Sequence, residues 1–214
     1  MQLYFIRHGE SENNARWTRT GSSVGRSEDA ELTDIGRQQA QVLAQYLADE
    51  DDFDLTHLYC SLMVRAVATG TAIAEALDVL LVAWTDLHEE GGIYLKDEAS
   101  GERLGQPGKT RTYFERTYPG LILPDSLGED GWWNRPFEEH EARPARARRV
   151  LNELLARHGG TTDRVALISH GGFYNQFLGA LLGFTPRARI WFTLNNTAIT
   201  RIDFRGVEDD VDVA

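Results

Sequence analysis

The chain has 214 residues, enough for one well-buried domain carrying an inserted subdomain. Apolar residues make up 42% of it, the share of a globular protein and too high for a disordered one. Its formal charge of −11 opposes general binding to nucleic acid or anionic membranes, and leaves room only for a small anion in a local basic pocket.

In chain order, "LYFI" (3–6) reads as a strand buried on both faces, and it ends abruptly in Arg7-His8-Gly9. From Asp34 to Leu47 the spacing predicts a helix. Ile35, Val42, Leu43, Tyr46 and Leu47 would share its buried face, with Thr33 as N-cap. "LTHLYC" (55–60) reads as a second strand, and Val64, Val67, Ala68, Ala72 and Leu77 mark a second helix. The segment from Gly91 to about Pro136 breaks this rhythm. It is rich in glycine and proline and holds the adjacent Trp132 and Trp133. A structureless loop of that length is foreign to a compact domain, so 91–136 is expected to be a lid inserted over a site. Ala147, Val150, Leu151, Leu154 and Leu155 mark a helix closed by Gly159-Gly160. "RVALIS" (164–169) is a strand, Phe173 to Leu181 a helix ending near Gly183, and "TAITRIDF" (197–204) a last strand. The alternation predicts an α/β fold: a mostly parallel central sheet with helices on both faces, one domain over 1–214.

A single cysteine, Cys60, excludes an intrachain disulfide and suits a reducing, cytoplasmic setting. The apolar stretch at 3–6 is too short for a signal peptide, and "VLLVAW" (79–84) is too short to span a bilayer.

Ligands of such sheets bind beyond the carboxyl ends of the strands. "YFIRHGE" and "ALISHGG" share one plan there: apolar strand, one polar residue, histidine, glycine. Arg65 falls about one turn into the helix that follows the second strand. Arg7, His8, Arg65 and His170 thus meet at one edge. Left alone, four such groups would repel one another. A phosphoryl group between them removes the repulsion, because guanidinium forks match its oxygens and the glycines let backbone N–H groups approach.

"RHGE", "SLMVRA" and "SHGG", in this order, resemble the histidine phosphatase superfamily, which includes the cofactor-dependent phosphoglycerate mutases. Asn14 after the RHG turn, "LTDIGRQQA" (32–40) and "LHEEGG" (87–92) extend the resemblance. It implies that His8 attacks phosphorus and carries the phosphoryl group. That requires a neutral imidazole, its tautomer fixed by a backbone carbonyl on the other nitrogen. It further implies that Arg7, Arg65 and His170 hold the phosphoryl oxygens, and that Asn14 donates one more hydrogen bond. Glu89 would act as general acid and base, with Glu90 as its rival. So much positive charge needs neither metal nor cofactor, and no metal-ligand spacing stands out.

Blander readings apply elsewhere. His88 is structural or at the pocket edge, and His57 is core or surface. His140, His158 and the run Arg143 to Arg149 belong to a solvated helix face. Trp132 and Trp133 either close over a substrate or pack the lid. Cys60 and Arg65 come near the cysteine-dependent phosphatase loop, but four residues separate them where that loop needs five. The expected function is a phosphomonoester hydrolase acting on a phosphorylated small molecule, with a phosphoprotein left open. A phosphoglycerate mutase is the alternative. "KTRTYFERTY" (109–118) is basic and aromatic without matching a mutase substrate motif. A non-catalytic phospho-ligand module would be expected to lose His8 or the acid, and both are present. Monomer or homodimer is expected.

Overall fold

The computed structural model describes residues 1–50, 53–184 and 190–205. Strand β1 (Gln2–Arg7) is buried from Leu3 to Ile6, as an all-apolar strand must be in a sheet covered on both faces. Next come α1 (Glu12–Thr20), α2 (Asp34–Asp49), β2 (His57–Cys60), α3 (Val64–Leu77) and β3 (Leu81–Ala83). The inserted segment holds β4 (Tyr94–Lys96), β5 (Arg103–Gly105), α4 (Arg111–Thr117) and β6 (Leu121–Ile122). The chain then continues through α5 (Arg143–His158), β7 (Arg164–Ser169), α6 (Gly171–Leu182) and β8 (Ile199–Asp203). The central sheet runs β6-β3-β2-β7-β1-β8, parallel except for the antiparallel edge strand β8, while β4 and β5 form a separate hairpin.

Successive residues of β1 serve opposite cores, because side chains alternate along a strand. Tyr4 and Ile6 join Leu58, Cys60 and Ile168 under α2 and α3. Leu3 and Phe5 join Tyr59, Val165 and Leu167 under α5 and α6. Phe5 meets Phe173, Tyr174 and Phe177 there at centroid distances of 6.3, 5.0 and 5.8 Å. Each such burial contributes about 1.5–3 kcal/mol. In the register, Arg7 pairs with Ser169 and Cys60 with Ile168, so the carboxyl ends of three neighbouring strands stop level.

Three expectations need correction. First, α2 buries Gly36, Ala40, Leu43, Ala44 and Leu47, whereas Ile35, Val42 and Tyr46 are exposed. The contact face is built of small residues because α2 presses on a backbone: a Cβ on Gly36 would lie 1.9 Å from Glu10 O. Counting large apolar residues therefore finds Leu43 and Leu47 but turns the rest of the face toward solvent. Thr33 does cap the helix, accepting from Gly36 N at 2.9 Å. Second, Arg143 and Arg146 of α5 are buried rather than solvated, paired with Glu90 and Glu138. Third, His158 is buried, held between Tyr59 and Asp163.

Helix α1 had no sequence signal, since it buries no residue; Ser11 and Asn14 close a capping box at its start. The segment 91–136 is built into the body of the domain. Its β6 pairs with β3, Leu81 opposite Leu121, as the far edge of the sheet. Ile93, Phe114, Leu127, Trp132 and Trp133 join the core under α2 and α3. His88 meets the edge of Trp133 at 4.6 Å and is itself buried.

Candidate active site

His8 follows β1 directly, and its backbone N–H donates to Ser169 O of β7 at 3.0 Å. Its imidazole is 3% exposed. Nδ1 lies 2.6 Å from Gly9 O, which can only accept, so Nδ1 carries the proton. Nε2 accepts from Arg65 Nε at 3.1 Å, so its lone pair points into the pocket toward the guanidinium. Burial first, and then the charges of Arg65 and Arg7, hold His8 well below the usual imidazole value. A neutral ring with a free Nε2 lone pair is the form a nucleophile needs. Gly9 is required beside it, because a Cβ there would lie 2.5 Å from Gly36 O.

His170 follows β7 and is fully buried, its ring 5.0 Å from that of His8. Neither of its nitrogens has a hydrogen-bond partner among the described residues. Leaving a buried polar atom unpaired costs about 1–3 kcal/mol, so a fully orphaned imidazole marks a place kept for a ligand. Burial, then Arg65, His8 and other nearby charges, keep this ring neutral as well. Arg7 shares this condition in part: its Nη1 donates to Leu194 O, while its Nε is buried with no partner among the described residues.

Arg65 lies in the first turn of α3, with Nη2 3.0 Å from Met63 Sδ. Its counter-charge is Asp29, whose Oδ1 is 3.8 Å from Arg65 Nη1 and accepts from Val64 N at 3.1 Å. Burial pushes the Asp29 carboxyl up to about 6, against the pull of Arg65.

Glu89 caps helix α6. Its Oε1 accepts from Phe173 N at 2.9 Å and Glu90 N at 2.8 Å, and its Oε2 from Gly172 N at 3.1 Å. A Cβ on Gly172 would fall 2.4 Å from Glu89 Oε1, so the glycine makes room for the carboxylate. The Glu89 charge acts on both Arg7 and Arg65. Glu90 turns away, accepting from Arg143 Nη1 at 3.0 Å and Gln176 Nε2 at 2.6 Å. The arginines therefore do not confront bare histidine charge, as the sequence alone suggested. Two neutral imidazoles and two carboxylates share the pocket with them.

Arg7, His8, Arg65, His170 and Glu89 are thus brought to one edge of the sheet. Asn14 stands beside them with its Oδ1 taken: it accepts from Ser11 N at 3.2 Å, Ser11 Oγ at 3.0 Å and Asn196 Nδ2 at 3.2 Å. Asn196 and Asp29 were missed in the sequence. Asn196 donates to His8 O at 2.9 Å, and Thr197 N to Arg7 O at 3.0 Å, so the turn into β8 braces the end of β1. Neither residue sits in a periodic element, and only their long-range partners give them away. Cys60 is a fully buried strand end whose thiol burial pushes up, the opposite of an activated thiolate.

A sheet edge with a neutral, lone-pair-bearing histidine between two guanidinium groups can accept and carry a phosphoryl group. Residues 3–213 match the histidine phosphatase superfamily (branch 1), and the chain belongs to that family of phosphoryl-transfer enzymes. It is 26% identical over 205 residues to the protein named "Probable phosphoglycerate mutase GpmB" of Photorhabdus laumondii, covering 96% of this chain and 86% of that one. The mycobacterial glucosyl-3-phosphoglycerate phosphatase shares its fold, with TM-score 0.60, 21% identity, and 94% and 90% of the two chains covered. So does a phosphoserine phosphatase from Entamoeba histolytica, with TM-score 0.59, 21% identity, and 94% and 89% covered. Among the described residues no helix is long and apolar enough to cross a membrane.

Proposed function

We propose that the protein is a phosphomonoesterase that hydrolyses a phosphorylated small molecule through a phosphohistidine on His8. The observation that carries this reading is the pairing of His8 and His170: one lone pair directed inward, two imidazole nitrogens with no partner among the described residues, rings 5.0 Å apart. A phosphoryl group entering here draws Arg65 Nε off His8 Nε2 and onto a phosphoryl oxygen. Arg7 Nε and His170 supply further donors, and the Nδ2 of Asn14 another. His8 Nε2 attacks phosphorus as the bond to the leaving oxygen breaks, and Glu89, which takes up a proton from solvent as the anionic substrate enters, passes it to that oxygen. Water then attacks the phosphohistidine, Glu89 takes the proton back, and inorganic phosphate leaves with His8 regenerated. The arginines offset the charge of the transition state, so no step calls on a metal.

Phosphoglycerate mutase transfer is the second reading, favoured by the name of the 26%-identical relative. A mutase must retain a doubly phosphorylated intermediate, and the basic run 109–118 is poorly placed to help. Arg111 donates to Leu127 O and Pro124 O and pairs with Glu115, while Lys109 lies over the Tyr113 ring at 4.9 Å. We read the segment 91–136 instead as the cover of the site: Arg26, whose charge acts on Arg65, stacks on its Tyr94 at 4.2 Å. A single cysteine, buried and free, suits a cytoplasmic enzyme.

The test is phosphate release from an aryl phosphate, with 3-phosphoglycerate isomerisation assayed beside it. Wild type should release phosphate, and His8→Ala should lose at least about a thousandfold in kcat. Glu89→Gln should lose about a hundredfold or more, and Glu90→Gln only a few-fold. Isomerisation without release would transfer the reading to the mutase. Turnover retained by His8→Ala would end both.

A further inference from the structure

A second cluster of chemistry-bearing side chains lies at the other end of the sheet. His57 opens β2, Asp163 immediately precedes β7, and His158 is the last residue of α5. Their ligand atoms all lie within 4.8 Å of one another. In the sequence they are separated by up to about a hundred residues, which is why no metal-ligand spacing announces them. We propose that His57, His158 and Asp163 form a binding site for a first-row divalent cation of the Zn²⁺ class, separate from the catalytic pocket.

The donor set is two imidazoles and one carboxylate. That set suits borderline cations such as Zn²⁺ and is poor for Mg²⁺ or Ca²⁺, which prefer oxygen alone. The groups that orient such ligands are already in place. Thr56 Oγ1 donates to Arg164 O at 3.2 Å and accepts from Arg164 N at 3.0 Å. Its remaining acceptor site takes the Nδ1–H of His57 at 2.9 Å, which leaves the His57 Nε2 lone pair as the ligand. Tyr59 Oη stands 3.1 Å from His158 Nε2, deep in the core. Ligating histidines are held in this way by a hydrogen bond on their other nitrogen.

Without a cation, His158 Nδ1 and Asp163 Oδ2 share a proton across 2.8 Å. Binding replaces that proton by the ion. The imidazole keeps one proton, now on Nε2, and the Tyr59 hydroxyl turns from donor to acceptor. Nitrogen and oxygen each about 2.0–2.2 Å from a tetrahedral ion stand about 3.4 Å apart, so the pair must open by roughly half an ångström from the 2.8 Å now present. The ion would tie the end of α5 to the starts of β2 and β7, and water would complete its shell. Its role is to fasten the fold, not to enter the phosphoryl chemistry.

The experiment is Zn²⁺ titration by calorimetry on the full chain after exhaustive chelation, comparing wild type, His57→Ala and Asp163→Asn. His57 and Asp163 are only partly buried, so both variants should fold. Wild type should take up about one equivalent more than either variant. At about a hundredfold excess over Kd, Zn²⁺ should raise its Tm by about 5 °C or more, and the Tm of the variants much less. Co²⁺ in place of Zn²⁺ should give a visible absorption band in wild type alone. Chelation should lower the wild-type Tm while phosphate release continues unchanged. Equal uptake by all three proteins would place the ion elsewhere, as at His8 and His170, and overturn the proposal. So would a wild type that binds no Zn²⁺ at micromolar concentration.

Discussion

Asp29 faces two demands with one oxygen. Met63, the N-cap of α3, makes no side-chain capping bond, and Asp29 Oδ1 supplies it from a distant loop by accepting from Val64 N. The same oxygen is the counter-charge of Arg65, while Oδ2 is buried with no hydrogen-bond partner among the described residues. Folding raises this carboxyl from 3.8 to about 6, with burial as the main cause. An acid raised on folding holds its proton more tightly in the folded chain. Its ionised form therefore costs about 3 kcal/mol of stability above about pH 6, and the cost fades as pH falls toward about 4. Asp29→Asn keeps the cap and removes the charge. Between about pH 4 and pH 8 the stability difference should move in favour of the variant by about 3 kcal/mol, read from urea midpoints. Arg65 meanwhile loses its anchor, and kcat/KM for an aryl phosphate should fall about tenfold. A stability difference that stays constant across that range would show that Asp29 titrates as an ordinary carboxylate. In the sequence, Arg7, His8 and His170 were legible because each ends an apolar strand beside a glycine, a purely local signal. Asp29 and Asn196 have no such mark. Their place is set by where the loops 21–33 and 193–198 return, which no periodicity encodes.

The acid loop is an element held by one guanidinium. Arg146 Nε and Nη2 fork onto Glu138 at 2.6 and 2.8 Å, and its Nη1 donates to Asp86 O and His88 O at 2.7 and 2.9 Å. Helix α5 thus fixes the chain on both sides of Leu87, and Glu89 then reaches across to cap α6. Arg146→Lys keeps the charge and loses the fork, and one ammonium cannot serve a carboxylate and two carbonyls in those directions. The variant should lose about 2–3 kcal/mol of stability, since buried acceptors are left unpaired. Its kcat should drop about tenfold with little change in KM, because the displaced group moves protons rather than binding phosphate. An unchanged kcat in a destabilised protein would mean that the cap on α6 alone positions Glu89. The pattern of α5 misled at this scale. Its arginines alternate with alanines and leucines as on a solvated amphipathic helix, yet the partners that draw Arg143 and Arg146 inward come from other elements. The α2 face was misread in part for a related reason: where two backbones must touch, small residues carry the contact, so Ala40 and Ala44 join Leu43 and Leu47 inside while Ile35, Val42 and Tyr46 stay outside.

Across the whole molecule, the parallel sheet and its helical layers were legible because each strand reads as an apolar run and each core helix as an apolar stripe. Strand β6 was not, since two residues are too short to show a period, and it brings the inserted segment into the sheet. What the sequence could not display is how many ionisable groups the finished core encloses. His8, His88 and His170 are all buried and held well below the usual imidazole value, in each case by burial first and by arginine or other nearby charge after it. In the unfolded chain each takes up a proton below about pH 6.5. Below that pH the unfolded chain therefore binds up to three more protons at these sites than the folded one, and stability falls as pH falls. Asp29 works against this, being protonated first in the folded chain, and offsets one of the three between about pH 6 and 4. The three rings outnumber that one carboxyl, so the net is proton uptake on unfolding and stability falls as pH falls below about 6.5. Urea midpoints at about pH 7, 6 and 5 should show that fall, and His88→Asn, which leaves the pocket's own groups in place, should make it shallower. Stability that stays level from about pH 7 to 5 would mean that the buried rings charge without unfolding the chain. His8 would then lose its Nε2 lone pair while still folded, and turnover should fall over the same range in which stability holds.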